Sequence, residues 1–230
     1  LLAKSCHDID YLAHLVGKPC LRVASYGSLS YFRPENAPKG APPRCTDGCP
    51  VESTCPYSAI RVYVHNLYNV SWLLTPLSIV QTPEARMEAI RTGPYGRCVY
   101  QCDNDVVDHQ VAALEFADDV TATFTMTAFT ASGGRRLRVH GTAGELEFDE
   151  KGITLKTFAD MNRTQIELGP ESGGHGGGDT RVVHEWLEAL HSRDAAKVVA
   201  NAQESLRTHT IVFAAERSRR ERRMVEMSEM

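Results

Sequence analysis

Two hydrophobic rhythms divide the chain. Near its start, Ile9, Leu12, Ala13 and Val16 recur at helical spacing, and Gly17 followed by Pro19 stops the pattern, so residues 5–16 predict an amphipathic helix. LRVASYG (21–27) predicts a strand, and the aromatic stretch YSAIRVYVHNLYNVSWLL (57–74) a helical region. TPEARMEAIRTG (82–93) carries complete helix signals, with Thr82 as N-cap, Pro83 in the first turn and Gly93 as the stop. From Arg97 the rhythm changes to alternation, through RCVYQC (97–102), DHQVAALEF (108–116), VTATFTMTAF (120–129), RRLRVHGT (135–142), GELEFD (144–149), GITLKTF (152–158) and RTQIEL (163–168).

Turns at 117–119, 132–134, 143–144 and 150–152 separate these runs, and consecutive strands with short turns mean an antiparallel meander. In VTATFTMTAF, Val120, Ala122, Phe124, Met126 and Ala128 fall on one side and threonines on most of the other, which calls for helices over one face. Two closing helices are expected at about 180–192 and 200–218. The expected fold is α+β: an open, mainly antiparallel sheet of six or more strands with helices packed on one face. It would form a single domain over 1–230, interrupted by a Cys- and Pro-rich insertion at 33–56.

Composition narrows the function. With 42% hydrophobic residues in 230, the chain can bury a proper core. Its 25 Lys+Arg against 29 Asp+Glu give a net charge of −4, which argues against a nucleic-acid partner. The basic cluster ERSRRERRMVEM (216–227) is interleaved with Glu and reads as a solvated helix end. No apolar run approaches the roughly 20 residues needed to span a bilayer, so no membrane partner is expected and a cytoplasmic location is. Seven cysteines, an odd number, do not suggest a full disulfide framework.

Four stretches could carry chemistry. On the first helix the core stripe is Leu2, Ile9, Leu12, Ala13 and Val16, while Ala3, His7, Asp10 and His14 gather opposite, with Lys4 and Tyr11 beside them. An imidazole, a carboxylate and an ammonium on one face suit acid–base work, or form the solvated side of an ordinary helix. In the insertion, Cys45, Cys49 and Cys55 are spaced C-x3-C-x5-C. That spacing leaves open a structural zinc whose fourth ligand would come from Cys20, Cys98, Cys102 or His65, a local disulfide, or buried thiols. GGHGGGD (173–179) precedes a helix with Asp179 as candidate N-cap, and His175 at its centre either reaches a ligand or lies on the surface. CDNDVVDHQ (102–110) reads as an Asx-type turn at the start of a strand rather than a metal or sugar site.

KSCHDID, PRCTDGCPVESTCPYSA, GRCVYQCDNDVVDHQ, GGRRLRVHGTAGELEFD, GGHGGGD and FAAERSRR follow one another across almost the whole chain. Together they resemble the C-terminal domain of the Gfo/Idh/MocA oxidoreductases, relatives of glucose–fructose oxidoreductase and inositol dehydrogenase. The resemblance implies a substrate-binding and oligomerisation domain, with homo-oligomers formed through the sheet. It also implies an N-terminal Rossmann domain that binds NAD or NADP and would lie upstream of Leu1, together with the G-x-G-x-x-G that this chain lacks.

The family's linking helix carries D-x-G-x-H-x-x-D. Its pattern sets His7 at the acid/base and Asp10 at the last Asp, but Ala3 at the supporting Asp and Ser5 at the Gly. Lys4 is the neighbour that could compensate. The resemblance thus implies a sugar or polyol oxidoreductase in which His7 moves a hydroxyl proton while Lys4, Asp10 and His175 position hydroxyls. The chain alone is expected neither to bind NAD(P) tightly nor to turn over substrate. An NAD-dependent glycosidase of the same family is the alternative, and so is a non-enzymatic assembly module with the cysteine loop as a zinc knob.

Overall fold

The computed structural model describes residues 1–131, 133–149, 151–169 and 174–230. The expected turns at 132–134 and 150–152 and the glycine run at 173–179 therefore lie partly outside the described residues, at Ser132, Glu150 and Gly173. The chain gathers into two compact units, one of residues 1–128 and 211–230, the other of residues 129–210.

The first unit holds helix α1 (Cys6–Val16), strand β1 (Cys20–Ser28), helix α2 (Pro83–Thr92), strands β2 (His109–Phe116) and β3 (Thr121–Thr127), the last turns of a long helix, and a short C-terminal strand at Val225–Glu226. Its strands form one antiparallel sheet in which β1 and β2 are central, β3 is one edge and Val225–Glu226 the other. Register fixes the faces. Val23 stands opposite Leu114 and Leu114 opposite Ala122, while Ser25 stands opposite Ala112 and Ala112 opposite Phe124. That face is covered by Cys6, Ile9 and Ala13 of α1 and by Ile211, Val212, Ala214 and Ala215 of the closing helix. On the other face Tyr26, Val111 and the threonines of β3 are exposed.

The α1 stripe is as expected except at its start. The helix begins at Cys6, so Leu1 and Cys6 pack on the core and Leu2 is exposed. Gly17 ends the helix at φ 66° and returns its N–H to the Ala13 carbonyl, a left-handed cap that favours glycine. In α2 the Thr82 hydroxyl accepts the Ala85 N–H, as the sequence indicates.

Two expectations fail in this unit. Residues 57–74 form only a π-type turn at Ile60–Val64 and a 3-10 turn at Ser71–Leu73. Asn66 and Asn69 take left-handed φ of 51° and 52° there, and the β-branched run around Val62 and Val64 adds little helix propensity to resist them. RCVYQC is not a strand: after the 3-10 turn Pro94–Gly96, only Arg97 pairs, in an isolated bridge to Arg44.

The second unit opens with a separate four-stranded antiparallel meander, β4 (Leu137–His140), β5 (Gly144–Phe148), β6 (Gly152–Thr157) and β7 (Arg163–Glu167), paired in chain order. Val139, Leu146 and Leu155 line up across one face, as do Leu137, Phe148, Ile153 and Ile166. The other face is polar, with Glu145 paired to Lys156 at 3.2 Å and Thr154 bonded to Gln165 at 2.8 Å. Helix α3 (Gly178–Ser192) and the first turns of α4 (Ala202–Glu221) complete the unit.

The α+β class and the antiparallel pairing are as expected, but the strands divide into two sheets of four instead of one larger sheet. β3 is the edge of the first sheet and β4 starts a new ladder, while the first sheet is completed by β8 (Val225–Glu226), a strand too short to show in the sequence. The Arg/Glu tail is the ion-paired helix end expected, with Glu216 bonded to Arg219 at 2.6 Å and to Arg220 at 2.7 Å. Among the described residues no helix is long and apolar enough to cross a membrane.

Candidate functional site

Ile9 and Ala13 are 1% and 0% exposed and fasten α1 to the sheet, which turns His7, Asp10 and His14 toward solvent. Lys4 lies in the turn before the helix, where its carbonyl accepts the His7 N–H at 3.1 Å. Lys4, His7 and Asp10 follow one another three residues apart and are all exposed. No ion pair or hydrogen bond among the described residues joins their side chains, so the imidazole is open to an incoming group. Ala3 is exposed in the same turn and offers no carboxylate behind His7.

His175 belongs to the second unit. It takes φ 51°, and its Nδ1 lies 2.9 Å from Asp179 Oδ1. A Cβ at Gly174 would run into the Asp179 carboxylate, and Gly176 and Gly177 take φ of 65° and 82°, which explains the glycines here. The expected cap is corrected: Gly177, not Asp179, is the N-cap residue of α3, and Asp179 sits in the first turn holding His175.

A dinucleotide does not fit this chain's own residues. The sequence contains no G-x-G-x-x-G, and its one glycine-rich approach to a helix carries in the first turn the Asp179 carboxylate, whose negative charge opposes a phosphate.

The cysteine loop is organised by Arg44. The Cys45 N–H bonds the Gly96 carbonyl at 3.0 Å and the Cys98 N–H bonds the Pro43 carbonyl at 2.7 Å. The Arg44 guanidinium donates to the Ile90 and Gly93 carbonyls at 2.7 and 2.5 Å. These bonds lay Cys98 against the loop, so that Cys45, Cys49, Cys55 and Cys98 line one small cavity with Tyr57 and Tyr100. Burial pushes the Cys45 thiol up, the Ala59 N–H at 3.4 Å works against that, and the nearness of Cys98, Cys49 and Cys55 adds to the rise. Cys45, Cys49 and Cys55 are not joined in a disulfide, so the local disulfide is not formed. Among the described residues no group of three or more His, Cys, Asp or Glu side chains is set around a single ion, so the zinc expected at Cys45, Cys49 and Cys55 is not supported.

Sequence reasoning missed the most elaborate polar cluster. The Asp108 side chain is 2% exposed and accepts the N–H groups of Ser30, Tyr31 and Phe32 at 2.9, 2.7 and 3.4 Å, while Oδ1 lies 2.8 Å from His109 Nδ1. Burial would raise its pKa, but the Tyr31, His109 and Ser30 bonds outweigh that and hold it at about 2. Beside it Tyr31, Phe32, Tyr57 and Tyr100 pack edge to face, with Phe32 and Tyr57 centroids 5.0 Å apart and the Tyr31 and Tyr100 hydroxyls 3.1 Å apart. The signal for the Asp108 clamp was the acid–histidine pair at the start of an alternating strand, which also fits an ordinary turn.

The fold defines an α+β domain of dehydrogenase type. The family profile described as "Oxidoreductase family, C-terminal alpha/beta domain" matches residues 1–227, and the chain belongs to that Gfo/Idh/MocA family. YteT of Bacillus subtilis (strain 168), carried under a provisional oxidoreductase name, is 21% identical over 249 residues, covering 99% of this chain and 55% of its own length. Among solved structures, levoglucosan dehydrogenase in complex with NADH is similar at 15% identity and a TM-score of 0.57, over 98% of this chain and 49% of that one. UDP-N-acetylglucosamine 3-dehydrogenase GnnA of Acidithiobacillus ferrooxidans shares 9% identity at a TM-score of 0.54, over 95% and 46%. Aldose-aldose oxidoreductase of Caulobacter crescentus shares 13% at 0.53, over 96% and 45%. The chain spans about half the length of these relatives.

Proposed function

We propose that this chain is the substrate side of an oxidoreductase acting on the CH–OH group of a sugar or polyol, with His7 as the acid–base residue. The observation that carries the reading is the exposed imidazole on a helix whose opposite face is locked into the core, within a family of oxidoreductases. The names of the structural relatives, dehydrogenases and oxidoreductases of sugars, support the substrate class. His7 exchanges the hydroxyl proton, an imidazole being able both to accept and to donate one. Lys4 and Asp10 offer a donor and an acceptor to neighbouring hydroxyls. The Ala3 departure leaves His7 without a carboxylate to fix its tautomer, so Lys4 sets the local charge instead.

NAD or NADP belongs in this reading to the whole protein, not to these residues, and no step is derived through it. The face of the first sheet with Tyr26 70% and Val111 45% exposed is assigned to association between copies. Tyr26→Glu should then lower the mass in solution, and an unchanged mass removes that assignment.

The test is kinetic. Full-length protein is assayed against a panel of aldoses and polyols with NAD and NADP. His7→Ala should lower kcat by about 10²–10⁴-fold on the best substrate. A variant that keeps the wild-type kcat on the best substrate ends the reading. Calorimetry of residues 1–230 should show no micromolar NAD(P) binding, and such binding would contradict the assignment of the nucleotide elsewhere.

A further inference from the structure

We propose that Cys45, Cys49, Cys55 and Cys98 are the four thiolate ligands of a soft metal centre, a zinc ion or an iron–sulfur cluster. The spacing within the loop supplies only three ligands, and the fold supplies the fourth. Cys98 arrives from beyond α2, and the bonds from Cys45 to Gly96 and from Cys98 to Pro43 bring it to the same cavity as the other three.

Four cysteines line one cavity, and of their sulfurs Cys45 Sγ accepts the Ala59 N–H. None is in a disulfide, although the cavity holds four of the chain's seven cysteines. Pro38, Ala41, Val51 and Val99 complete the wall, and the one carboxylate there, Glu52, is engaged by the Ser58 hydroxyl at 3.0 Å. Thiolates are therefore the donors the cavity offers, and that ligand type selects zinc, copper(I) or iron–sulfur clusters over hard cations. The Ala59 N–H aimed at Cys45 Sγ is the kind of backbone bond that steadies a coordinating sulfur. The segment also needs a cross-link. Between Arg33 and Pro56 its one helical turn is the 3-10 turn Pro34–Asn36, with prolines and glycines preventing more.

The side chains do not already surround a single ion. Neutral thiols have no shared charge to gather them, and metal binding itself deprotonates and closes such sites. All four cysteines line one cavity, and closing a zinc site there calls for rotation about their Cα–Cβ bonds on metal binding. A cluster of irons and sulfides instead spans a wider spacing.

The experiment is metal and sulfide analysis of the full-length protein purified without air or chelator. About one zinc per chain, or about four irons with as many sulfides and a visible charge-transfer band, is expected, and the two results distinguish the two centres. Cys98→Ser and Cys49→Ser should lose it, whereas Cys20→Ser, outside the cavity, should keep it. A wild-type measurement guards against misfolded variants: thiol titration of native protein should find four more reactive sulfurs after the metal is chelated. Protein with under about a tenth of an equivalent of zinc or iron, or metal retained in Cys98→Ser, overturns the proposal.

Discussion

Asp108 accepts the backbone N–H of Tyr31 at 2.7 Å, tying the start of β2 to the loop that leaves β1. With the Ser30 and Phe32 amides on the same carboxylate, it fixes the point where the sheet hands over to the aromatic cluster and the cysteine loop. The carboxyl is held at about 2 in the folded protein, below the ordinary value near ~4. Its stabilising contribution is therefore complete above about pH 4 and is lost as pH falls toward about 2. Asp108→Asn should cost about 1–3 kcal/mol at neutral pH and flatten the acid limb of a plot of Tm against pH. An acid limb identical to wild type would show that the clamp does not govern it.

Ile9 and His7 separate stability from chemistry on the same helix. Ile9→Ala removes a side chain that is 1% exposed and should cost about 2–5 kcal/mol in urea unfolding. His7→Ala and Asp10→Ala, both on the exposed face, should stay within about 0.5 kcal/mol of wild type. A large stability loss on replacing His7 would place it in the packing and undo its assignment as a free acid–base group.

Gly96 has no room for a methyl group. A Cβ there would strike the Ile90 carbonyl oxygen and crowd the Arg44 guanidinium that grips the same turn. Gly96→Ala should cost about 1–3 kcal/mol and loosen Cys98 from the cysteine loop. Faster reaction of Cys98 with a thiol reagent is the readout, and unchanged reactivity with unchanged stability would contradict it.

The sequence was most legible where the pattern was local. Thr82, Pro83 and Gly93 delimit α2 because caps act within one turn, and alternation found β2 to β7 because side-chain direction repeats every second residue. The split into two sheets was not legible, since alternation marks strands without saying that β4 pairs with β5 and not with β3, nor that Val225 reaches back across the chain to Val23. Residues 57–74 misled because their apolar count resembles a helix while Asn66 and Asn69 turn the backbone left-handed. At the candidate site, the exposed face of α1 followed from spacing alone. Cys98 joined the other cysteines only through the bridge between Arg44 and Arg97. The Asp108 clamp stayed hidden because its amide partners lie in a loop that no periodicity describes.

Ser218 adds a polar tie between the closing helix and the sheet beside the hydrophobic contacts of Ile211 and Val212. Its Oγ accepts the Ser25 N–H at 2.8 Å and donates to the Arg223 carbonyl at 2.5 Å, and the residue is 1% exposed. One hydroxyl therefore satisfies a donor of β1 and an acceptor in the turn that leads into β8. Ser218→Ala leaves the N–H of buried Ser25 without this partner and frees the Arg223 carbonyl, and should cost about 1–3 kcal/mol, more than the methyl group gains by its burial. Because the Arg223 turn positions Val225 against Val23, the loss should also reach β8. Hydrogen exchange should accelerate at Ser25 and across Val225–Glu226 while the amides of α2 keep their protection. Uniform acceleration throughout the first unit would show global destabilisation instead, and protection unchanged at Ser25 would show that the hydroxyl does not hold this corner.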